Sequence, residues 1–264
     1  MFVMTIDQRG SRQGPDLVPE LLSVLADIPV LLAFERSVGD EVQGLLDSPK
    51  SVIEVAMRAL RSGQWYVGIG VGDVDKPLGA SPREGSGAAF VQARQAVDKA
   101  KRTGERVPLS VQAAPARAVQ GLAVPDSGQA ASAPAAPGTE RSGQVASAQA
   151  TSNQATSGEA TLNLPTLSQT TSMERALAAR GIDERARAAE AVLVLIGDLV
   201  RKRSEAQWRV LAQLDADPMQ RQVDVAVALG ISPQAVSRAI LRSGWQEELA
   251  GRDAAALLLD LLNS

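Results

Sequence analysis

A long stretch of low complexity near the middle of the chain limits what this sequence can fold into. From Ala114 to Ser172 the residues are mostly Ala, Ser, Gly, Pro, Gln and Thr, aromatic side chains are absent and charged ones are scarce. Such a composition buries too little apolar area to offset the conformational entropy that ordering would cost. The sequence therefore predicts a disordered linker over 114–172, between an N-terminal domain (1–113) and a C-terminal domain (173–264).

The C-terminal domain contains a stretch, Gln222 to Leu241, whose apolar spacing predicts two short helices that share one core. The apolar positions are Val225, Leu229, Ile231, Val236 and Ile240. Gly230 stands where the first helix must end, because glycine adopts the left-handed conformation without steric cost. Ser232 and Pro233 then follow as the N-cap and the first residue of the next helix. This combination is typical of a helix-turn-helix.

The outer face of the second predicted helix carries side chains that can contact bases. In a helix-turn-helix this helix enters the major groove, where Gln and Arg make bidentate contacts to adenine and guanine. The predicted DNA-binding residues are Arg221, Ser232, Gln234, Ser237, Arg238 and Arg242. No strand pattern follows, so we expect an all-helical domain without a β-wing. The alternatives are a pair of packed helices whose polar face is only solvated, and a helix-turn-helix that binds another protein.

Charge and composition limit the function further. The chain has a formal net charge of -3 and a pI of about 5.2, and the part from Met173 to Ser264 has about as many acidic as basic residues. Any positive patch for DNA must therefore be local. The chain contains no cysteine and no histidine. This excludes disulfides, thiolate or imidazole catalysis and the usual zinc sites, and leaves carboxylates with a hard cation such as Mg²⁺.

No segment of the sequence predicts a signal peptide or a membrane span. The N-terminal apolar run meets Asp7 and Arg9 at once, and a later run, Ala188 to Val200, is short and contains Glu190 and Asp198. We therefore expect a cytoplasmic protein with no membrane partner.

The N-terminal domain alternates strand and helix patterns in the order strand, helix, strand, hairpin strand, helix, strand, helix, strand. A Gly-Asp pair supplies the hairpin turn. Gly68, Gly70 and Gly72 indicate that another backbone or a ligand approaches the strand that begins at Trp65. The order predicts an α+β domain of the ferredoxin-like type, with a mostly antiparallel sheet covered on one face.

Three carboxylates of this domain form a candidate metal site. Asp7 ends the first strand, and Asp40 and Glu41 lie in the hairpin turn. Because the first strand lies beside this hairpin in a ferredoxin-like sheet, we expect these carboxylates within reach of one Mg²⁺ ion. Arg9 and Arg12, in the loop after the first strand, are predicted to contact phosphates. The alternative is a solvated turn and an ordinary polar loop.

Several motifs resemble known families. The residues Val38–Val42 resemble the GGDEF signature, and WYVGIGVGDV resembles a strand of class III nucleotide cyclases. This resemblance implies a cyclase-like palm with metal-binding carboxylates at Asp7 and in the hairpin. Gln92 and Arg94 are the nearest equivalents of the Asn and Arg with which cyclases stabilise the transition state, but at a different spacing, which argues against turnover.

A more specific resemblance covers about residues 2–102. The ordered motifs IDQRGSR, FERSVGDEVQGLL, GIGVG and GAAFVQAR are similar to those of the SatD family. Relatives of that family with a C-terminal helix-turn-helix tend to be labelled MarR-like regulators. The resemblance implies a fold more than a defined biochemical role.

These inferences predict a DNA-binding transcriptional regulator whose N-terminal domain senses a ligand, with a nucleotide and Mg²⁺ as candidates and no catalytic residues. The alternative is a metal-dependent, nucleotidyl cyclase-like phosphoryl-transfer enzyme that uses Asp7 and Asp40. One helix-turn-helix rarely gives enough affinity alone, so we expect a homodimer on two half-sites. The stripe Ala188–Leu199 and the closing segment Leu257–Leu262 are candidate dimer surfaces or, alternatively, core.

Overall fold

The computed structural model describes residues 1–104, 106–115, 167–217 and 219–264. In these residues a five-stranded mixed sheet and eight α-helices form an α+β fold. The elements are β1 Phe2–Gln8, α1 Val18–Leu25, β2 Leu32–Arg36, β3 Glu41–Leu46, α2 Pro49–Arg61, β4 Trp65–Val71, α3 Ala88–Ala100, β5 Leu109–Ala113, α4 Leu167–Lys202, α5 Glu205–Ala216, α6 Gln222–Leu229, α7 Pro233–Ser243 and α8 Trp245–Asn263, with a 3₁₀ turn, Pro82–Glu84, before α3. The predicted order of strands and helices in the N-terminal part is confirmed.

The sheet has the strand order β2-β3-β1-β4-β5. The pairs β2–β3, β3–β1 and β1–β4 are antiparallel, and β4–β5 is parallel. Strand β1 is therefore central, and its register places Asp7 directly opposite Glu41 on β3 and Tyr66 on β4. The mostly antiparallel sheet that the sequence predicts is present.

Helices cover both faces of this sheet, so the expectation of a single covered face was wrong. On one face, alternate residues of β1, β3 and β4 pack with α1 and α2 in the main core. On the other face, a Cβ added at Gly70 would lie 2.2 Å from Ala89 O and from Ala93 N, and one at Gly68 would lie 2.4 Å from Val97 N. The two glycines thus let the backbone of α3 approach β4, and this contact explains why the strand carries so many glycines.

Helix α4 joins the C-terminal part to the sheet. Glu190 accepts hydrogen bonds from the backbone N–H of Val111 and the hydroxyl of Ser110, both at 2.8 Å, and Lys99 Nζ lies 3.0 Å away. These bonds satisfy the outer edge of β5, which would otherwise expose an unpaired donor. The described residues before the gap at 116–166 and those from Ser172 onward belong to one compact unit.

The sequence predicts a helix that ends at Gly181 and a second one capped by Asp183, but α4 runs through both positions without a break. Its buried stripe is also offset from the predicted one. The buried positions are Ala186, Ala189, Leu193, Ile196 and Val200, whereas Leu195 is 68% exposed. Helix α4 begins at Leu167, inside the predicted linker; residues 116–166 of that linker lie outside the described residues.

The same core extends into α8, where Ala255 and Leu259 pack with residues of α2 and α4. Among the described residues, no single helix is long and apolar enough to cross a membrane. The segments Gln222–Leu229 and Pro233–Asn263 reach that length and apolar composition only when they are taken together, across a bend of 107°.

Candidate functional site

Helices α6 and α7 are joined by a tight turn whose residues have the predicted conformations. Gly230 ends α6 in the left-handed region, with φ 66° and ψ 32°, where a residue with a Cβ would be strained. The backbone N–H of Ile231 donates to Ala226 O at 3.0 Å, which satisfies a carbonyl of the last turn. Ser232 then caps α7, because its hydroxyl accepts from the N–H of Ala235 at 3.2 Å, and Pro233 is the first helical residue.

A small core of its own holds α6 and α7 against α5. Val225 and Ala226 of α6 and Val236 of α7 are buried against three residues of α5. Those three are Val210, Leu211 and Leu214. Of the other predicted core positions, Leu229 and Ile240 are partly buried, but Ile231 is 40% exposed. The turn and this three-helix core together fix the orientation of α7.

The outer face of α7 presents polar and basic side chains to solvent. Gln234, Ser237, Arg238 and Arg242 are all exposed, and α7 contains no acidic residue. Arg238 Nε donates to the carbonyl of Gln234 at 3.3 Å, which directs this guanidinium along the helix surface. The face is therefore locally cationic even though the chain as a whole is acidic. Ser232, which belongs to the same predicted set, is the N-cap of α7.

Arg221 differs from the other predicted DNA-binding residues because it already has an anionic partner. Its Nε and Nη2 lie 3.0 Å and 3.1 Å from the two carboxylate oxygens of Asp224, one turn along α6. The bidentate bond raises the pKa of Arg221 and holds the pKa of Asp224 below its usual value. A phosphate would have to compete with Asp224 for this guanidinium.

The predicted metal-binding carboxylates lie on β1 and in the β2–β3 hairpin. Asp7 Oδ2 accepts from Lys101 Nζ at 2.7 Å. Glu41 Oε1 accepts from Ser37 Oγ at 2.6 Å and from Arg94 Nη2 at 3.2 Å. Burial raises the pKa of Asp7, an effect that Lys101 opposes and the neighbouring Asp40 and Glu41 reinforce.

The metal site formed by these carboxylates stays a prediction. Within the described ranges no group of three or more Asp and Glu residues is arranged to hold a metal ion. Cationic side chains instead contact the two carboxylates that face each other across the strands, Asp7 and Glu41.

The two predicted phosphate-binding arginines are not brought together with a common partner. The guanidinium of Arg9 lies 5.2 Å from the ring centroid of Tyr66, and its Nη1 donates to Gly63 O at 3.4 Å. Arg12 is exposed in the following loop. Both remain predictions as phosphate contacts.

The structure also contains a chain of alternating charges that sequence patterns only partly indicate. It runs from the loop after α1 through α2 and α8 to the residue that follows α4, and its members are Asp27, Arg58, Glu54, Arg252, Glu248 and Arg203. Two of its links, Glu54–Arg58 and Glu248–Arg252, have the i,i+4 spacing that a helix predicts. The links between helices depend on tertiary packing and have no local signal.

The last link of this charge chain is buried and contacts α7. The Arg203 and Glu248 side chains are only 2% and 5% exposed, and their closest atoms are 2.5 Å apart. Arg203 Nε donates to the carbonyl of Ser243, the last residue of α7, at 2.9 Å. The ring centroid of Trp208 lies 4.9 Å from the guanidinium group of Arg203 and 4.0 Å from that of Arg61. Ionic contacts thus connect α2 to the end of α7.

No protein-family model, curated protein or solved structure matches this chain.

Proposed function

We propose that this protein is a DNA-binding transcriptional regulator in which α6, the turn and α7 form a helix-turn-helix. The observation that carries the proposal is the outer face of α7, where Gln234, Arg238 and Arg242 are exposed on a helix without acidic residues. A helix of this kind fits the major groove, with Gln and Arg contacting base edges and the capped N-terminus of α7 directed at the backbone.

The proposal includes a sensing role for the N-terminal part, which we propose to be a ferredoxin-like, cyclase-related domain similar to the SatD family. The β-α-β-β-α-β order of its first six elements and the packing of α1 and α2 on one face support this assignment. The charge chain supports the regulatory role, because it connects α2 to the carbonyl at the end of α7.

We further propose a homodimer. Leu257 and Leu261 of α8 are 67% and 53% exposed, and Leu195 of α4 is also exposed. Exposed leucines on two long helices offer an apolar surface that a second copy would cover. Two copies would also supply the two recognition helices that adjacent half-sites require.

The alternative, a cyclase-like enzyme that uses Asp7 and Asp40, has less support because Lys101 occupies Asp7. It predicts release of pyrophosphate from a nucleoside triphosphate with Mg²⁺, lost in Asp40→Ala.

The test is fluorescence anisotropy of the full chain on labelled duplex DNA from the region upstream of its own coding sequence, with a random duplex for comparison. We expect selective binding that weakens as salt rises, because phosphate contacts release counterions. The double variant Gln234→Ala/Arg238→Ala is expected to lose about tenfold or more in affinity, since each bidentate base contact contributes about 1–3 kcal/mol.

The matched control is Gln95→Ala/Arg102→Ala, which removes the same side-chain types from exposed positions on and after α3. It should bind DNA like the unaltered protein. Absence of binding at low salt, or an equal loss in both double variants, would assign α6 and α7 a purely structural or protein-binding role.

A further inference from the structure

A cleft of about 970 Å³ lies where the loop after α1, the start of α2 and the helix α8 meet. Its walls are mostly apolar, and the main apolar contributors are Ile28, Val30, Leu31, Ile53, Leu249 and Ala256. Pockets for drug-sized ligands have volumes of roughly 300–1,000 Å³ and combine apolar walls with a few polar groups. The cleft has the size and the walls of such a site.

The charges that line the cleft indicate what it can bind. Arg58 and Arg252 are already paired with Asp27, Glu54 and Glu248, so their charges are neutralised. The lining charges outside ion pairs in the described part of the chain are Asp47, Lys50 and Asp253, which sum to one negative charge. A ligand with one positive charge would balance them.

Of the two carboxylates outside ion pairs, Asp253 is the better partner for such a charge. Asp47 directly precedes Ser48, the N-cap of α2, so the positive end of that helix and the nearby Lys50 partly compensate it. Asp253 lies on α8, beside Arg252, whose guanidinium is held by Glu54 and Glu248. We propose that this cleft binds a largely apolar small molecule that carries one positive charge, with Asp253 facing that charge.

A series of contacts connects the cleft to α7. Arg252 lines the cleft and bonds Glu248, and Glu248 bonds Arg203, which holds the carbonyl at the end of α7. A ligand that displaces α8 from α2 would therefore change the position of α7. This part of the inference rests on the proposed DNA-binding function, whereas ligand binding itself does not.

The test uses two ions of the same shape and opposite charge, tetraphenylphosphonium and tetraphenylborate, titrated calorimetrically into the full chain without DNA. We expect the cation to bind at least about tenfold more tightly than the anion. The variant Asp253→Asn should weaken binding of the cation about fivefold, the upper range for one exposed ion pair. Asp260→Asn, which removes another exposed carboxylate of α8 outside the cleft, should leave it unchanged.

Failure of the cation to bind, equal or tighter binding of the anion, or equal losses in the two variants would overturn the proposed ligand class. The DNA anisotropy assay then tests the coupling. The cation should change the affinity for DNA of the unaltered protein by about threefold or more and have a smaller effect on Asp253→Asn. Cation binding without such a change would overturn the coupling alone. Absence of DNA binding would contradict the proposed function and leave the cleft assignment intact.

Discussion

Arg203 and Glu248 form a buried ion pair, and replacing only one partner should lower the stability of the protein. Taking a charge out of water costs several kcal/mol, and the mutual attraction offsets this only while both partners are present. The burial of Arg203 is already only partly compensated, because its buried Nη2 has no hydrogen-bond partner among the described residues. Its other contacts are Glu248, the carbonyl of Ser243 and the ring of Trp208.

We expect Glu248→Gln to lower the free energy of unfolding by about 3 kcal/mol, the lower end of the range for breaking a buried pair. Urea denaturation of the two proteins would measure the difference. The control is Glu247→Gln, which alters an exposed carboxylate one residue earlier and should change stability by less than about 0.5 kcal/mol. Equal effects of the two variants would mean that the pair contributes nothing specific.

Asp7 gives a second prediction at this scale, on the dependence of stability on pH. Burial raises its pKa above the ordinary value of 3.8. At pH values between the ordinary pKa and this raised pKa, the folded chain binds more protons than the unfolded chain. The contribution of Asp7 to the free energy of unfolding therefore falls as pH rises through this window. Asp7→Asn removes this fall, and Lys101 remains solvated because it is 37% exposed.

Relative to the unaltered protein, Asp7→Asn should therefore gain stability as pH rises above 3.8, the ordinary pKa of this carboxyl group. Urea midpoints measured across this range would show the gain. Asp183→Asn, at an exposed site on α4, should show none. If Asp7→Asn instead loses stability relative to the unaltered protein as pH rises, the bond to Lys101 outweighs the burial of Asp7.

At the scale of the element, two glycines lead to opposite predictions for stability. One has open space where a side chain would lie, and the other is in close contact with a neighbouring helix. Gly181 lies inside α4 with no atom near its missing side chain, and its φ is not positive. Gly181→Ala should therefore stabilise the protein by about 0.5–1 kcal/mol, the helix-propensity difference. Gly70→Ala should destabilise it by more than about 2 kcal/mol, because α3 leaves no room for a Cβ. Thermal or urea unfolding measures both, and a loss of stability in Gly181→Ala would indicate a helix end at that position.

The ion pair at the start of α6 leads to a prediction on DNA binding. Because Asp224 holds Arg221 in a bidentate bond, Asp224→Asn should free this guanidinium for phosphate. We expect about a twofold to threefold tighter affinity and a salt dependence steeper by about one phosphate contact. Anisotropy titrations at several salt concentrations would measure both quantities, with Asp183→Asn as the control for net charge. An unchanged slope would mean that Arg221 lies away from the DNA backbone.

Local patterns predicted most elements of this fold, since caps, turns and periodicity act within a few residues. The turn at Gly230 and the cap at Ser232 follow from such signals and are confirmed. Gly181 misled the prediction because a single glycine inside a helix costs only about 1 kcal/mol, which the rest of the 36-residue α4 can outweigh.

The candidate sites were less predictable than the elements. The sequence places Asp7 beside the hairpin that carries Asp40 and Glu41, and the register pairs Asp7 with Glu41. It does not show that Lys101 and Arg94, at the end of α3 and within it, contact these carboxylates. The cleft and the charge chain likewise depend on how α2, α4 and α8 pack, and such contacts between distant segments have no periodic signal.

At the scale of the whole molecule, the shared core determines how the chain should unfold. The composition of the segment 114–172 predicts two parts that move independently, whereas α2, α4 and α8 bury apolar residues of both parts in one core. Glu190 and Arg252 add polar links across the same boundary. Elements that share a core usually unfold together.

Trp208 of α5 packs against both this core and the small core of α5–α7. We therefore expect the sheet and the helices α5–α7 to unfold in one transition. Because the chain contains no cysteine, single labels can be placed at Gln95→Cys on α3 and at Ala212→Cys on α5, both exposed positions. An environment-sensitive dye at either site should report the same urea midpoint and the same m-value within error. The matched comparison adds Arg252→Met to both labelled proteins, which removes the bond to Glu54 and should lower the two midpoints together. If the label on α5 instead reported a separate transition at lower urea, α5–α7 would unfold on their own, and the charge chain would not be able to transmit a change at the cleft to α7.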